Sequence, residues 1–161
     1  MNVNINQNLI TYTGNVKIKV FKNGEFFRTI YNHNAGTIDF LKFIRDCVIG
    51  ASNIYLRNPF YLIPIDNNDN DLASNSFSGF SVKDGESDAS VIYTFLISGV
   101  NYPVGTKIKG FKLNSADNKT YAEMSIPQNV DVILDDSSNV YVEWTLTFNA
   151  APDETTELGG N

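Results

Sequence analysis

The chain is poor in the residues that carry most catalysis and metal chemistry. Among 161 residues there is one cysteine, Cys47, one histidine, His33, and one tryptophan. A single cysteine excludes an intrachain disulfide. Cys47 falls inside an apolar helical pattern, which predicts a reduced core thiol and not a reactive one. One His and one Cys cannot supply the four ligands, or three plus water, of a zinc site. A catalytic triad needs a His beside a nucleophile and a carboxylate. His33 lies in YNHNAG, and no G-x-S-x-G or comparable motif accompanies it. It is expected to be a turn residue between a strand and a helix.

Basic residues and long apolar runs are also scarce. Lys and Arg total 12 against 18 Asp and Glu, a formal net charge of −6. Affinity for phosphates needs clustered cations, and the densest group here is Lys107, Lys109 and Lys112. Nucleic acid is therefore not an expected partner. No stretch approaches the ~20 apolar residues that span a bilayer. The opening MNVNINQNLI lacks the basic region and apolar run of a secretory signal. A soluble protein made in a reducing cytoplasm is expected, with no membrane partner.

The acidic residues gather in loops. Asp66-Asn67-Asn68-Asp69-Asn70-Asp71 matches the D-x-N-x-N start of an EF-hand loop. Asp71 then stands where that loop needs Gly, and Phe77 stands where it needs Glu. A solvated loop is the expected reading. Asp84, Glu86 and Asp88 form a second acidic loop, and Asp135-Asp136 reads as a turn. Nothing pairs two carboxylates in one cleft, as glycoside hydrolysis requires. No phosphate-binding Gly loop is present. The sequence therefore predicts no enzyme, and assigns no catalytic, cofactor-binding or metal residue.

What the chain does have is apolar and aromatic content. Apolar residues make up 42%, with 11 Phe and 8 Tyr, which predicts a folded core. Asn is abundant, with 21 residues. Asn suits turns because it tolerates left-handed backbone, although codon bias in an AT-rich genome would give the same excess.

Val16, Ile18 and Val20 alternate with Lys17 and Lys19, the period of a half-buried strand. Asn23-Gly24 is a strong hairpin signal, and Phe26 to Tyr31 returns as the partner. One amphipathic helix is predicted over about residues 38–49. Thr37 can cap it, Asp39 suits its first turn, and Gly50 can end it. Ile38, Leu41, Ile44 and Val48 share a face, with Phe40, Phe43 and Cys47 beside them, so the helix must dock on a sheet face or sandwich end.

The remainder reads as strands. Phe60 to Ile65 is broken by Pro64, which predicts an edge or irregular strand. Residues 66–90 are expected to be mostly loop around a short strand, Gly79 to Val82. Ser90 to Ile97 is apolar on both faces, as in a central strand. In Lys107 to Leu113 a bulge at Gly110 would align Ile108, Phe111 and Leu113. Ala122, Met124 and Ile126 alternate. So do Val140, Val142, Trp144, Leu146 and Phe148, against Tyr141, Glu143, Thr145 and Thr147. Seven to nine short strands with regular turn signals predict a mainly β fold, an antiparallel β-sandwich of Ig-like or jelly-roll-like type. The first thirteen residues and the tail after Asn149 stand outside this succession of strands. The expected layout is one domain over residues 1–149 and an acidic tail, 150–161, that is flexible or ordered by a partner.

Four segments carry a resemblance: Tyr31 to Gly50 (YNHNAGTIDFLKFIRDCVIG), Ile108 to Leu113 (IKGFKL), Asn118 to Met124 (NKTYAEM) and Val140 to Phe148 (VYVEWTLTF). They resemble tail, baseplate and neck-type β-sandwich proteins of tailed bacteriophage virions. After the helix the chain departs from that pattern, with YLIPID where many relatives have a Gly-rich strand. The resemblance implies a non-enzymatic virion structural protein without cofactors. Its partners would be other phage virion proteins and further copies of itself, as a homo-oligomer in a ring or fibre-like array. The termini could add a strand to a neighbour's sheet. Tyr55, Phe60, Tyr61 and Tyr102, read as exposed loop aromatics, are the candidate interface. They could equally cover the domain's own core. The alternative function is a carbohydrate-binding or decoration module on a fibre or head surface, since such modules pair aromatic platforms with Asn and Asp.

Overall fold

Alternating apolar residues become strands whose buried faces meet, and that rule accounts for most of this chain. The computed structural model describes residues 10–48, 50, 59–84 and 88–150. Its elements in order are β1 (Ile10–Lys22), β2 (Glu25–Gly36), α1 (Ile38–Val48), β3 (Pro59–Asp66), β4 (Asn75–Asp84), β5 (Asp88–Ser98), β6 (Thr106–Ser115), β7 (Thr120–Ser125), β8 (Val132–Leu134) and β9 (Ser138–Ala150). Among the described residues the protein is mainly β and antiparallel, with one α-helix, as the sequence predicts.

Five strands form one sheet in the order β4-β5-β9-β1-β2. In the second sheet β6 pairs β3 along one edge, while β7 and β8 share its other edge end to end. Two short corner pairings join the layers. Tyr61 and Leu62 of β3 pair Ser76 and Asn75 of β4, and Ala35 and Gly36 of β2 pair Glu123 and Ala122 of β7.

The first hairpin turns at Asn23 and Gly24, with φ of 52° and 78°, the left-handed pair that an Asn-Gly turn accommodates. Val16, Ile18 and Val20 face inward against Val140, Val142, Trp144 and Leu146 of β9. Leu62, Ile108, Phe111, Leu113 and Met124 close the core from the second sheet. The expected bulge in β6 is present. The register with β3 slips between Ile65↔Gly110 and Asp66↔Ile108, and Ile108, Phe111 and Leu113 are all buried. Gly110 is required there, because a Cβ would lie 2.5 Å from the Met124 carbonyl oxygen.

The helix plugs one end of the sandwich. Thr37 Oγ1 accepts the Phe40 N–H at 3.3 Å and donates to the Thr120 carbonyl at 2.5 Å, so the cap also ties α1 to β7. Phe40 and Phe43 pack on Tyr121, with ring centroids 5.7 and 5.3 Å away, and Phe40 reaches Phe148 at 6.4 Å.

Several expectations need correction. Only the Phe40 side of α1 docks, so Ile38 and Leu41 are exposed. Cys47 is exposed, not a core thiol, although it lies two turns beyond Phe40 on the same side, near the end of the helix. Asp46 is buried instead, with Arg45 donating to it at 2.6 Å. β3, by contrast, is the irregular edge strand expected: it pairs β6 along one side with two register slips and meets β4 only at Tyr61 and Leu62. Pro64 fits because its carbonyl points the other way, accepting the Leu72 N–H at 2.9 Å. The region 66–90 holds one long strand, β4, and the first residues of β5, with Asp84 paired to Ala89. His33 sits on β2, not in a turn.

Candidate functional site

The outward face of the five-stranded sheet collects the polar halves of its strands. Strand period places Lys17 and Lys19 of β1 on the same side as Tyr141, Glu143 and Thr145 of β9. Lys17 is the register partner of Glu143 and of Tyr31 on β2. Lys19 Nζ donates to Glu143 Oε1 at 2.9 Å, and Lys17 Nζ lies 3.6 Å from Oε2. Partial burial pushes the Glu143 carboxyl up, but the hydrogen bond and charge of Lys19, with the charge of Lys17, outweigh it. The net result is a carboxyl below the usual glutamate value. The same bond to Glu143 raises Lys19.

Aromatic rings flank this charged strip. On one side Tyr31 is 68% exposed, with Lys17 Nζ 5.7 Å from its ring centre. On the other, Phe21 packs edge-on against Tyr141 at 5.3 Å and against Phe26 at 5.8 Å. Two open depressions adjoin the strip, one of about 520 Å³ beside Tyr31 and one of about 350 Å³ beside Tyr141. Glu143 borders both. A carboxylate clamped by two ammonium groups holds no proton to donate at neutral pH and is a weak base. The strip suits contact with a polar surface or ligand, not acid–base chemistry.

Two sets of exposed apolar residues lie on the sheet margins. Phe26, Phe27 and Tyr31 lie on β2, and Phe80 and Val82, each 62% exposed, lie on β4. On β2 the Phe27 ring has cations against its face. Arg28 Cζ is 4.5 Å and Lys22 Nζ 5.2 Å from the Phe27 ring centre. Val100 and Val104 add an exposed apolar loop next to Tyr102.

The aromatic residues singled out by sequence do not form one surface. Tyr102 is 7% exposed and belongs to the core, which corrects its reading as a loop anchor. Its hydroxyl donates to the Ala73 carbonyl at 3.0 Å and accepts from Asn75 Nδ2 at 2.7 Å, so it staples the start of β4. Burial also pushes its phenol up. Tyr61 is half-buried on β3, opposite Ser76 and Asn114. Tyr55 and the side chain of Phe60 lie outside the described residues. Sequence reasoning passed over Lys17, Lys19, Tyr31, Tyr141 and Glu143. Their signal was the charged and aromatic character of the outward positions in β1, β2 and β9.

The acidic loop after β3 is internally organised. Asp66 accepts the N–H groups of Asn68 and Asn70 at 2.8 and 2.9 Å, which hold its carboxyl low. Asp69 bonds Lys109, and Asp71 bonds Lys112 at 2.7 Å. Lys107 likewise pairs with Asp131. The densest basic group in the sequence is thus neutralised residue by residue. Among the described residues no three His, Cys, Asp or Glu side chains gather as a metal site. The Cys47 thiol is pushed up by partial burial of its sulfur and then by Asp46, which disfavours the reactive thiolate. No protein-family model matches the chain, and no curated protein or solved structure matches it.

Proposed function

We propose that the chain is a non-enzymatic structural subunit of a tailed-phage virion, working in the tail, neck or baseplate by packing against its own copies and other virion proteins. The observation that carries the assembly reading is the exposed apolar set on both margins of one sheet, Phe26, Phe27 and Tyr31 on β2 and Phe80 and Val82 on β4. Apolar residues spread along strand margins are costly to leave in water and mark surfaces that partners cover. The virion setting rests on the four resembling segments. Mass spectrometry of purified particles from the encoding phage tests it. Peptides of this chain at the abundance of a structural protein are expected, and their absence from intact particles overturns the reading.

A second reading is a carbohydrate-binding module. It is favoured by Tyr31, an exposed ring beside Lys17, Glu143, Asn15 and Asn32 in the larger depression. A glycan array separates the two, since only this reading expects binding that Tyr31→Ala abolishes.

A further inference from the structure

We propose that residues 1–9 of one copy pair as an added strand with the open edge of β4 on a second copy. This deepens the assembly reading and rests on it. The edge comes first. From Gly79 to Asp84, β4 keeps unbroken register with β5 on one side. Its other side pairs β3 only at Asn75 and Ser76. Among the described residues no strand occupies the rest. Phe80 and Val82 project to the core side of the sheet, opposite Tyr93 and Val91, yet remain largely exposed. Ser81, Lys83 and the bare Gly79 occupy the outer side.

The other sheet margin is less receptive. On β2, Phe27 is bulged out of register between Val20↔Arg28 and Phe21↔Phe26. Further along, Asn32 donates to the Ser125 carbonyl at 2.5 Å. Bulges and side-chain covers of this kind block strand addition.

The occupant is written in the chain. In MNVNINQNL, Val3, Ile5 and Leu9 alternate with Asn2, Asn4, Asn6 and Asn8, and Gln7 is the one break. That period gives a strand with one apolar and one amide face. Set beside β4, it would continue the Phe80–Val82 surface with apolar side chains. Its amides would then lie beside Ser81 and Lys83.

Reach favours a second copy. Ile10 lies on β1, separated from β4 by β9 and β5. The position beyond β4 is four inter-strand steps from β1, about 19 Å, which consumes roughly six residues of extended chain. About three would then remain to pair with a six-residue edge in the same molecule. In a neighbour all nine are available.

The test uses full-length protein in a Cys47→Ser background. Asn2→Cys, Asn4→Cys, Asn6→Cys and Asn8→Cys are each mixed with a separate Ser81→Cys chain and oxidised. A disulfide-linked dimer from at least one mixture is expected. In parallel, Ile5→Asp should weaken self-association roughly tenfold or more, with the thermal unfolding midpoint of the domain unchanged. No disulfide joining an N-terminal cysteine to the cysteine substituted at position 81 in any mixture overturns the inference. So does wild-type association in Ile5→Asp, which leaves the assembly reading intact. Wild-type protein that stays monomeric at every concentration overturns both.

Discussion

Lys19 Nζ lies 2.9 Å from Glu143 Oε1 across the β1–β9 ladder, and Lys17 approaches the other oxygen of the same carboxylate. Two cations therefore share one anion at the centre of the open sheet face.

That arrangement sets a pH dependence. The folded pKa of Glu143 lies below the ordinary value of 4.5. Its contribution to stability is therefore complete above that value and is lost as pH falls through the folded pKa. Glu143→Gln should lower the thermal midpoint slightly at pH 7, and the difference from wild type should vanish in acid. Melting curves from pH 7 to pH 3, a range set by the carboxylate pKa values, check this. High salt should shrink the difference at neutral pH.

The helix is held by one side. Phe40→Ala should cost about 3–5 kcal/mol, since it empties a fully packed site against Tyr121 and Phe148. Leu41→Ser, at an exposed position of the same helix, should change domain stability by less than about 0.5 kcal/mol. Urea unfolding of both variants makes the comparison.

Three glycines divide by what surrounds them. A Cβ at Gly99 would lie 1.9 Å from the Asp135 carbonyl oxygen, and one at Gly110 2.5 Å from that of Met124. Gly99→Ala and Gly110→Ala should each destabilise by about 1–3 kcal/mol. Gly79 has nothing within 4 Å of its missing Cβ. Gly79→Ala should be neutral or stabilising by up to about 1 kcal/mol. Denaturant midpoints rank the three.

The loop that resembles the start of a calcium site should ignore calcium. Asp69 and Asp71 are already engaged by Lys109 and Lys112, and Asp66 by its own backbone. Calcium at a large excess should leave the thermal midpoint unchanged. A midpoint that rises with calcium would show binding to the native state.

Local pattern made much of the fold legible. The alternation in β1 and β9, the Asn23-Gly24 turn, the Thr37 cap and the Gly110 bulge are each set by near neighbours in sequence. β4 read as short because its bulge at Ser78 and its serines disguise the period. Tyr102 and Cys47 were misplaced for a common reason. Whether a loop ring folds inward, or how far along a helix the packing reaches, depends on segments distant in the chain. The Lys17–Glu143–Lys19 strip was illegible for the same reason, since 124 positions separate Lys19 from Glu143. Its members look like ordinary solvent-facing residues until the strands are set in register.

Sedimentation equilibrium of the full-length protein over a wide concentration range tests most directly whether these sheet margins exist to be covered. The weight-average mass should climb from 17.9 kDa to that of two or more copies. Val82→Glu should hold it near the lower value. A wild-type mass fixed at 17.9 kDa throughout would contradict the account.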